Sequence, residues 1–300
     1  MKFANRISGG KSPVLEQWGM DSEYGVLEKV LIGPMDHYNW QTGNAMSRRS
    51  LRLGREFDHA VARAQYQEMV EAYQQAGVET HILEADASLP YQLYARDSSV
   101  MTPWGPIVTQ MYSPWRRGEW KAVLEFYQSQ QIPVYDIVTA GTLEGGDFMV
   151  LEPGLILCGY TGERTSEEGL AQVKAWVEAE GWEFRSYKFD PYFLHLDVKL
   201  AMLAPKLAAA CIQALEQEFV DWLQGRGIEL IDISYRAMLE LGCNVVALGN
   251  DRVLLPFDNL ELKEKCRARG LTVIDPDVSM FTSGGGGVHC MCQPLKRQPG

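Results

Sequence analysis

Cys290 stands close to the end of the 300-residue chain, directly after Ser283-Gly-Gly-Gly-Gly-Val-His289. Four consecutive glycines remove the Cβ atoms that would obstruct close approach of the backbone to a ligand. A thiol set beside backbone N–H groups or a cation is favoured as the thiolate, the form that attacks carbon. A flexible linker would use the same glycines, but a linker does not ordinarily run straight into His-Cys-Met-Cys-Gln-Pro. Zinc is the sharpest competing use of His289, Cys290 and Cys292. It lacks a fourth ligand, adjacent positions rarely point the same way, and no second Cys-x-x-Cys or His-x-His accompanies them, so no metal or other cofactor is expected.

A nucleophilic thiol needs an acid/base partner. His195 lies in Pro191-Tyr-Phe-Leu-His-Leu-Asp197, where strand alternation would place the imidazole and the Asp197 carboxylate on one face. A carboxylate two residues away orients an imidazole or fixes its charge, which suits general acid/base work. Glu144, in Gly141-Thr-Leu-Glu-Gly-Gly-Asp147, sits in a turn expected to present both acids at a loop. Asp97, in Tyr94-Ala-Arg-Asp-Ser98, is a further carboxylate of the same kind. Acids around a thiol raise its pKa and make it a poor reagent toward an anion. They suit a planar cation with several N–H donors, gripped in bidentate fashion. The expected substrate group is therefore a guanidinium or amidinium, and the expected partner is a small cationic molecule.

These residues are far apart in sequence, so the elements between them must bring them together. Five helix-period stretches are each followed by a break and a short β-branched run, and the breaks fall at Gly77, Gln131, Gly181, Gly227 and Gly270, 43 to 54 residues apart. The expected helices are 55–76, 117–130, one opening with a capping box at Thr165-Ser-Glu-Glu168, 206–226 and 259–269. Strands are expected at 28–32, 78–83, 107–109, 132–137, 148–151, 155–158, 182–187, 228–233, 245–248, 252–255 and 271–274. This is an α/β chain. Periodicity alone fits a doubly wound sheet or a closed ring of modules equally well. The reactive residues favour the ring: Asp97 comes 20 residues after its break, Glu144 13, His195 14 and Cys290 20. Equivalent loops of a ring converge on its axis, and a composite pocket results.

Composition sets the outer bounds. The chain is 46% hydrophobic and 22% charged, enough for a sizeable core. A net charge of −11 argues against nucleic acid. No run of about 18 apolar residues and no apolar leader are present, so neither membrane insertion nor secretion is signalled and the expected location is cytoplasmic. Six cysteines are too sparse for a disulfide framework.

Arg96-Asp97, Leu143-Glu-Gly-Gly-Asp147, Gly159-Tyr-Thr-Gly-Glu-Arg-Thr165, His195-Leu-Asp197 and Gly284-Gly-Gly-Gly-Val-His-Cys-Met291 resemble, in that order, the motifs of the guanidino-modifying superfamily of arginine deiminases, dimethylarginine hydrolases, arginine dihydrolases and amidinotransferases. The similarity spans roughly residues 27–294. It implies a five-bladed α/β propeller with pseudo-five-fold symmetry, formed by residues 1–300 as one catalytic domain, with self-association into a homo-oligomer compatible with it. It implies that Cys290 attacks the guanidinium carbon to form an amidino-thioether, that His195 protonates the leaving amine and then activates water, and that Glu144 bridges His195 and substrate. Asp97 and Asp197 would clamp the guanidinium; Arg164 would hold a substrate carboxylate, and Arg96 would be a further substrate-binding residue. The activity implied is hydrolysis of a guanidino C–N bond of arginine or a near relative, the alternative being amidino transfer to an amine. In size the chain is closer to the hydrolases, having no room for the inserted helical domain of bacterial arginine deiminases. Tyr91 stands where many deiminases have an asparagine ahead of the Arg-Asp pair, a departure that bears on whether plain L-arginine is the substrate. Glu-Gly-Gly-Asp favours hydrolases over amidinotransferases.

Overall fold

The computed structural model describes residues 14–300. Among them, fifteen strands pair into five separate three-stranded sheets. The strands are β1 (Leu27–Ile32), β2 (Glu79–Ile82), β3 (Ser99–Thr102), β4 (Gly105–Val108), β5 (Asp136–Ile137), β6 (Phe148–Glu152), β7 (Leu155–Tyr160), β8 (Glu183–Lys188), β9 (Leu200–Ala204), β10 (Leu207–Ala210), β11 (Glu229–Asp232), β12 (Val246–Gly249), β13 (Arg252–Leu254), β14 (Thr272–Ile274) and β15 (Cys292–Arg297). Four sheets repeat one recipe. An antiparallel hairpin (β3-β4, β6-β7, β9-β10, β12-β13) is followed by a helical connection and a third strand parallel to the second. A parallel pair needs such a crossover, because a tight turn cannot reverse direction twice. The remaining sheet takes β1 and its parallel partner β2 from the start of the chain and its antiparallel partner β15 from the end. The last strand thus completes the first sheet.

The breaks that marked the modules share one backbone conformation. Gly77, Gly181, Gly227 and Gly270 have φ between +77° and +82°, and Gln131 adopts the same left-handed turn at φ 58°. A residue in this region ends a helix by turning its last carbonyls toward the chain that follows. Glutamine can do so at a cost of about 1–2 kcal/mol that glycine avoids. The intervening helices are His59–Gln75, Glu119–Ser129, Glu167–Ala179, Gln217–Gly225 and Leu260–Arg267. Asp58 caps the first through two backbone N–H groups. Ser166, not Thr165, caps the third, accepting from the Gly169 N–H.

The expected helix over 206–226 is only half correct. Leu207–Ala210 is a strand, and the helix begins at Gln217. Alanine's high helix propensity misleads there, since Ala208–Ala210 are buried between β9 and β11, where small side chains fit a sheet covered on both faces. A further helix, Ala45–Arg52, carries no strong apolar stripe and was not expected; Asn44 caps it. Among the described residues, no helix is long and apolar enough to cross a membrane.

Candidate active site

The segments that enter the antiparallel edge strand of four of the sheets supply the site. Asp97 lies two residues before β3, the 3₁₀ turn Gly145–Asp147 leads into β6, the turn Leu196–Val198 leads toward β9, and Cys290 lies two residues before β15. His195 is the residue capping its turn, in extended conformation. It therefore does not share a strand face with Asp197: His195 meets Glu144 and Asp97, while Asp197 meets His289 and Asn244.

Cys290, His195 and Asp97 line one cleft of about 450 Å³, together with Tyr91, Arg116 and Arg164. A second cavity meets the first at His195 and Cys290 and adds Asp197. The thiol, the imidazole and the acids are thus gathered at one place, as the module counting implied. All four acidic and imidazole groups are buried, and Glu144 has no exposed surface at all.

Glu144 and His195 form the tightest contact, with Oε2 2.7 Å from Nε2. The same oxygen accepts from Arg164 Nη1 at 2.9 Å, and Oε1 accepts from the Tyr112 backbone N–H at 3.0 Å. On the other edge of the ring, Asp97 Oδ1 lies 3.6 Å from His195 Nδ1. Burial works against an imidazolium, but Asp97, the Glu144 hydrogen bond and Asp147 together raise His195 from 6.5 to about 9. Burial likewise opposes ionisation of Glu144, and the hydrogen bond and charge of His195, then Arg164 and Arg116, overcome it and hold the carboxyl at about 2. The pair is an imidazolium and a carboxylate at neutral pH.

Asp97 is fixed by Arg116, whose Nη1 donates to Oδ2 at 2.7 Å, and by the Gly146 N–H on Oδ1 at 3.1 Å. Arg116 is held in turn by Glu119 through two hydrogen bonds of 2.8 and 2.9 Å. Neither Arg116 nor Glu119 was anticipated. Arg116-Arg117 reads as an ordinary basic pair, and only the fold buries the first and leaves the second exposed. Asp197 Oδ2 accepts from His289 Nδ1 at 2.8 Å and Asn244 Nδ2 at 3.1 Å, while its Oδ1 is buried without a partner. Burial would raise Asp197, but the His289 hydrogen bond and charge, with His195 and Arg96, bring it below the ordinary carboxylate range. Burial, then Asp197 and Asp97, push the Cys290 thiol well above its ordinary value. The resting sulfur is a thiol in an acidic enclosure.

Three expectations are corrected. Arg96 does not line the cleft: its guanidinium donates to Glu23 Oε1 at 2.8 Å and to the Phe148 carbonyl at 3.1 Å, on the far side of the turn that gives Asp97 to the cleft. The glycines before Cys290 make room for the protein itself. A Cβ on Gly286 would overlap the Tyr94 ring, and one on Gly287 would meet Asn244. Asp147 is not presented at the loop; it is buried, accepting from the Leu196 N–H at 2.9 Å and the Thr165 hydroxyl at 2.6 Å, and so fixes the turn behind His195. Asp97, Glu144 and His195 bring ligand atoms within 4.8 Å of one another, a metal-like spacing. Arg116 and Arg164 already donate to these two carboxylates, so a metal ion would have to displace two guanidinium groups to bind there.

The profile of the family described as N,N dimethylarginine dimethylhydrolase, eukaryotic, matches residues 37–297. The chain belongs to this family. With it, the chain belongs to the guanidino-modifying superfamily, and it is an enzyme of the hydrolases acting on C–N bonds in linear amidines. The N(G),N(G)-dimethylarginine dimethylaminohydrolase of Pseudomonas aeruginosa is 30% identical over 242 residues, covering 78% of this chain and 88% of the relative. The structure of the Pseudomonas aeruginosa enzyme, as a Cys-to-Ser mutant with citrulline, superposes with a TM-score of 0.76 at 24% identity, covering 89% of this chain and 99% of that one. The N-terminal domain of a cyanobacterial arginine dihydrolase has the same fold, with a TM-score of 0.77 at 18% identity over 90% of this chain and 98% of that one.

Proposed function

We propose that the enzyme hydrolyses a guanidino C–N bond of arginine or a close arginine-like compound, giving a ureido product plus ammonia or an amine through an amidino-thioether on Cys290. The observation that carries this reading is that Cys290, His195 and Asp97 share one cleft with two arginines, Arg116 and Arg164. Acids, thiol and imidazole suit a cationic head group, and Arg164 suits an anionic tail on the same molecule, Arg116 being spent on Asp97 and Glu119.

Asp97 and the unpartnered Oδ1 of Asp197 take guanidinium N–H groups. Arrival of that cation reverses the field that holds the thiol protonated, and the thiol releases its proton to solvent as the sulfur bonds to the guanidinium carbon. His195, raised to about 9, carries the proton that the leaving nitrogen needs. The C–N bond then breaks, and neutral His195 takes a proton from water as its oxygen attacks the amidino carbon. Collapse expels the sulfur and leaves the ureido product. Arg164, half-committed to Glu144, holds a substrate carboxylate.

The five sheets are read as blades of a five-bladed α/β propeller with pseudo-five-fold symmetry, with residues 1–300 as one catalytic domain. Completion of the first sheet by β15 supports this, as does the arrival of the Asp97, Glu144, His195 and Cys290 segments just ahead of an edge strand that runs antiparallel to the centre of its sheet. The deciding experiment is incubation with L-arginine, methylated arginines, agmatine, guanidinoacetate and guanidinobutyrate, read by ammonia release and mass spectrometry. A ureido product without any added amine supports hydrolysis. Product formed only when an acceptor amine is added identifies amidino transfer, and full activity in Cys290→Ala ends the proposal.

A further inference from the structure

Four modules supply Asp97, Glu144, His195 and Cys290, and counting of ionisable residues left the module after Gly227 without a contribution. In the structure that module ends in β12, and the residue two positions before it is Asn244, equivalent in place to Asp97 before β3 and Cys290 before β15. Asn244 is fully buried. Both ends of its amide are spent on the reacting centre. Its Nδ2 donates to Cys290 Sγ at 3.1 Å and to Asp197 Oδ2 at 3.1 Å. Its Oδ1 accepts from the His289 N–H at 3.0 Å and lies 3.4 Å from the Cys290 N–H.

We infer that Asn244 is a fifth catalytic residue, whose amide N–H holds the Cys290 sulfur as it becomes a thiolate and again as it leaves, and whose carbonyl fixes the turn that aims it. The inference rests on Cys290 being the nucleophile. The sulfur sits among acids that oppose its ionisation, and the contacts that favour the anion are the Asn244 amide and the Gly287 backbone N–H. A hydrogen bond to a charged group is among the stronger kinds, so its loss slows attack about ten- to a hundredfold. By binding Asp197 Oδ2 together with His289, Asn244 also leaves Oδ1 as the oxygen open to the substrate. The charged and titratable groups around the sulfur are Asp197, Asp97 and His195, the buried Tyr94 and Tyr38 phenols, and Arg116 and Arg164 in the same cleft, with His289 on the far side of Asp197. None of them changes type in an Asn244 variant.

The test compares wild type with Asn244→Ala and Asn244→Asp. Alkylation of Cys290 by iodoacetamide is followed against pH by peptide mass spectrometry, and kcat and KM are measured on the best substrate of the guanidine panel. Asn244→Ala removes donor and acceptor. Asn244→Asp is isosteric and keeps the acceptor, but replaces the donor by a negative charge beside the sulfur. The expected result is a rise in the alkylation midpoint in both, larger for Asn244→Asp, and a kcat lower by about ten- to a hundredfold with KM changed less than about threefold. Alkylation profiles and kcat matching wild type in a variant with wild-type circular dichroism would overturn the inference. Should Asn244→Ala not fold, Asn244→Asp decides by the same criterion. If wild type hydrolyses no guanidine, the proposed function fails, while the alkylation profiles still decide the part of Asn244.

Discussion

Replacing Glu144 by Gln keeps the side-chain volume and exchanges a carboxylate bonded to His195 at 2.7 Å for a neutral amide. His195 stands at about 9 against an ordinary 6.5, a preference for the imidazolium worth roughly 3 kcal/mol at about 1.4 kcal/mol per pH unit. Asp97 and Asp147, which also favour the charged ring, survive the substitution. If Glu144 supplies about half of the preference, its loss withdraws roughly 1–2 kcal/mol, and the alkaline limb of the kcat profile moves about one pH unit toward neutrality. At pH 8 the variant then holds a much smaller imidazolium fraction, and kcat falls more steeply there than at pH 6. The assay is ammonia release at saturating substrate from pH 5.5 to 10, with circular dichroism as the fold control. An alkaline limb that coincides with wild type would refute the reasoning. Stability follows the same pair. The raised imidazolium contributes stability that is full below about 6.5 and lost as pH rises through about 9, and the depressed Glu144 carboxyl contributes stability present above about 4.5 and lost as pH falls toward about 2. Chemical denaturation of wild type is therefore expected to show its Glu144-dependent stability between those limits and to lose it on either side.

Arg96→Met is expected to leave Glu23 buried without its cation, costing about 3–5 kcal/mol in a urea titration, while KM of the folded fraction stays near wild type because Arg96 is turned from the cleft. Arg164→Ala is expected to erase the preference for arginine over its decarboxylated analogue agmatine, measured as the ratio of kcat/KM values; an unchanged ratio would remove Arg164 from the tail site. Gly286→Ala forces a Cβ onto the buried Tyr94 ring, so a loss of about 1–3 kcal/mol in thermal unfolding and a fall in kcat are expected, and neutrality in both would show that the loop has slack.

Much of the fold was legible because each module repeats one local signal. A helical stripe closed by a left-handed residue is written in adjacent positions, and even Gln131 kept the place of the missing glycine. Leu207–Ala210 was not legible, since alanine's preference for helix is outweighed only by neighbours from β9 and β11. In the site, Cys290, His195, Glu144 and Asp97 were found because thiols, imidazoles and acids near glycines declare their chemistry. Asn244 and Arg116 did not, because an amide and one of two adjacent arginines gain meaning only from what they touch. The glycines before Cys290 read as room for a ligand, but the groups that take the room are Tyr94 and Asn244. Asp197 does not serve as the partner of His195 that the two-residue spacing suggested: Glu144 and Asp97 take that place, and Asp197 is held by His289 and Asn244.

The covalent step is most directly tested by acid-quenching the enzyme during turnover of the best guanidine and mapping its peptides by mass spectrometry. An amidino adduct on Cys290 that appears within one turnover and vanishes when substrate is exhausted is the predicted result. Turnover at full rate with Cys290 never modified, or an adduct confined to another cysteine, would contradict it.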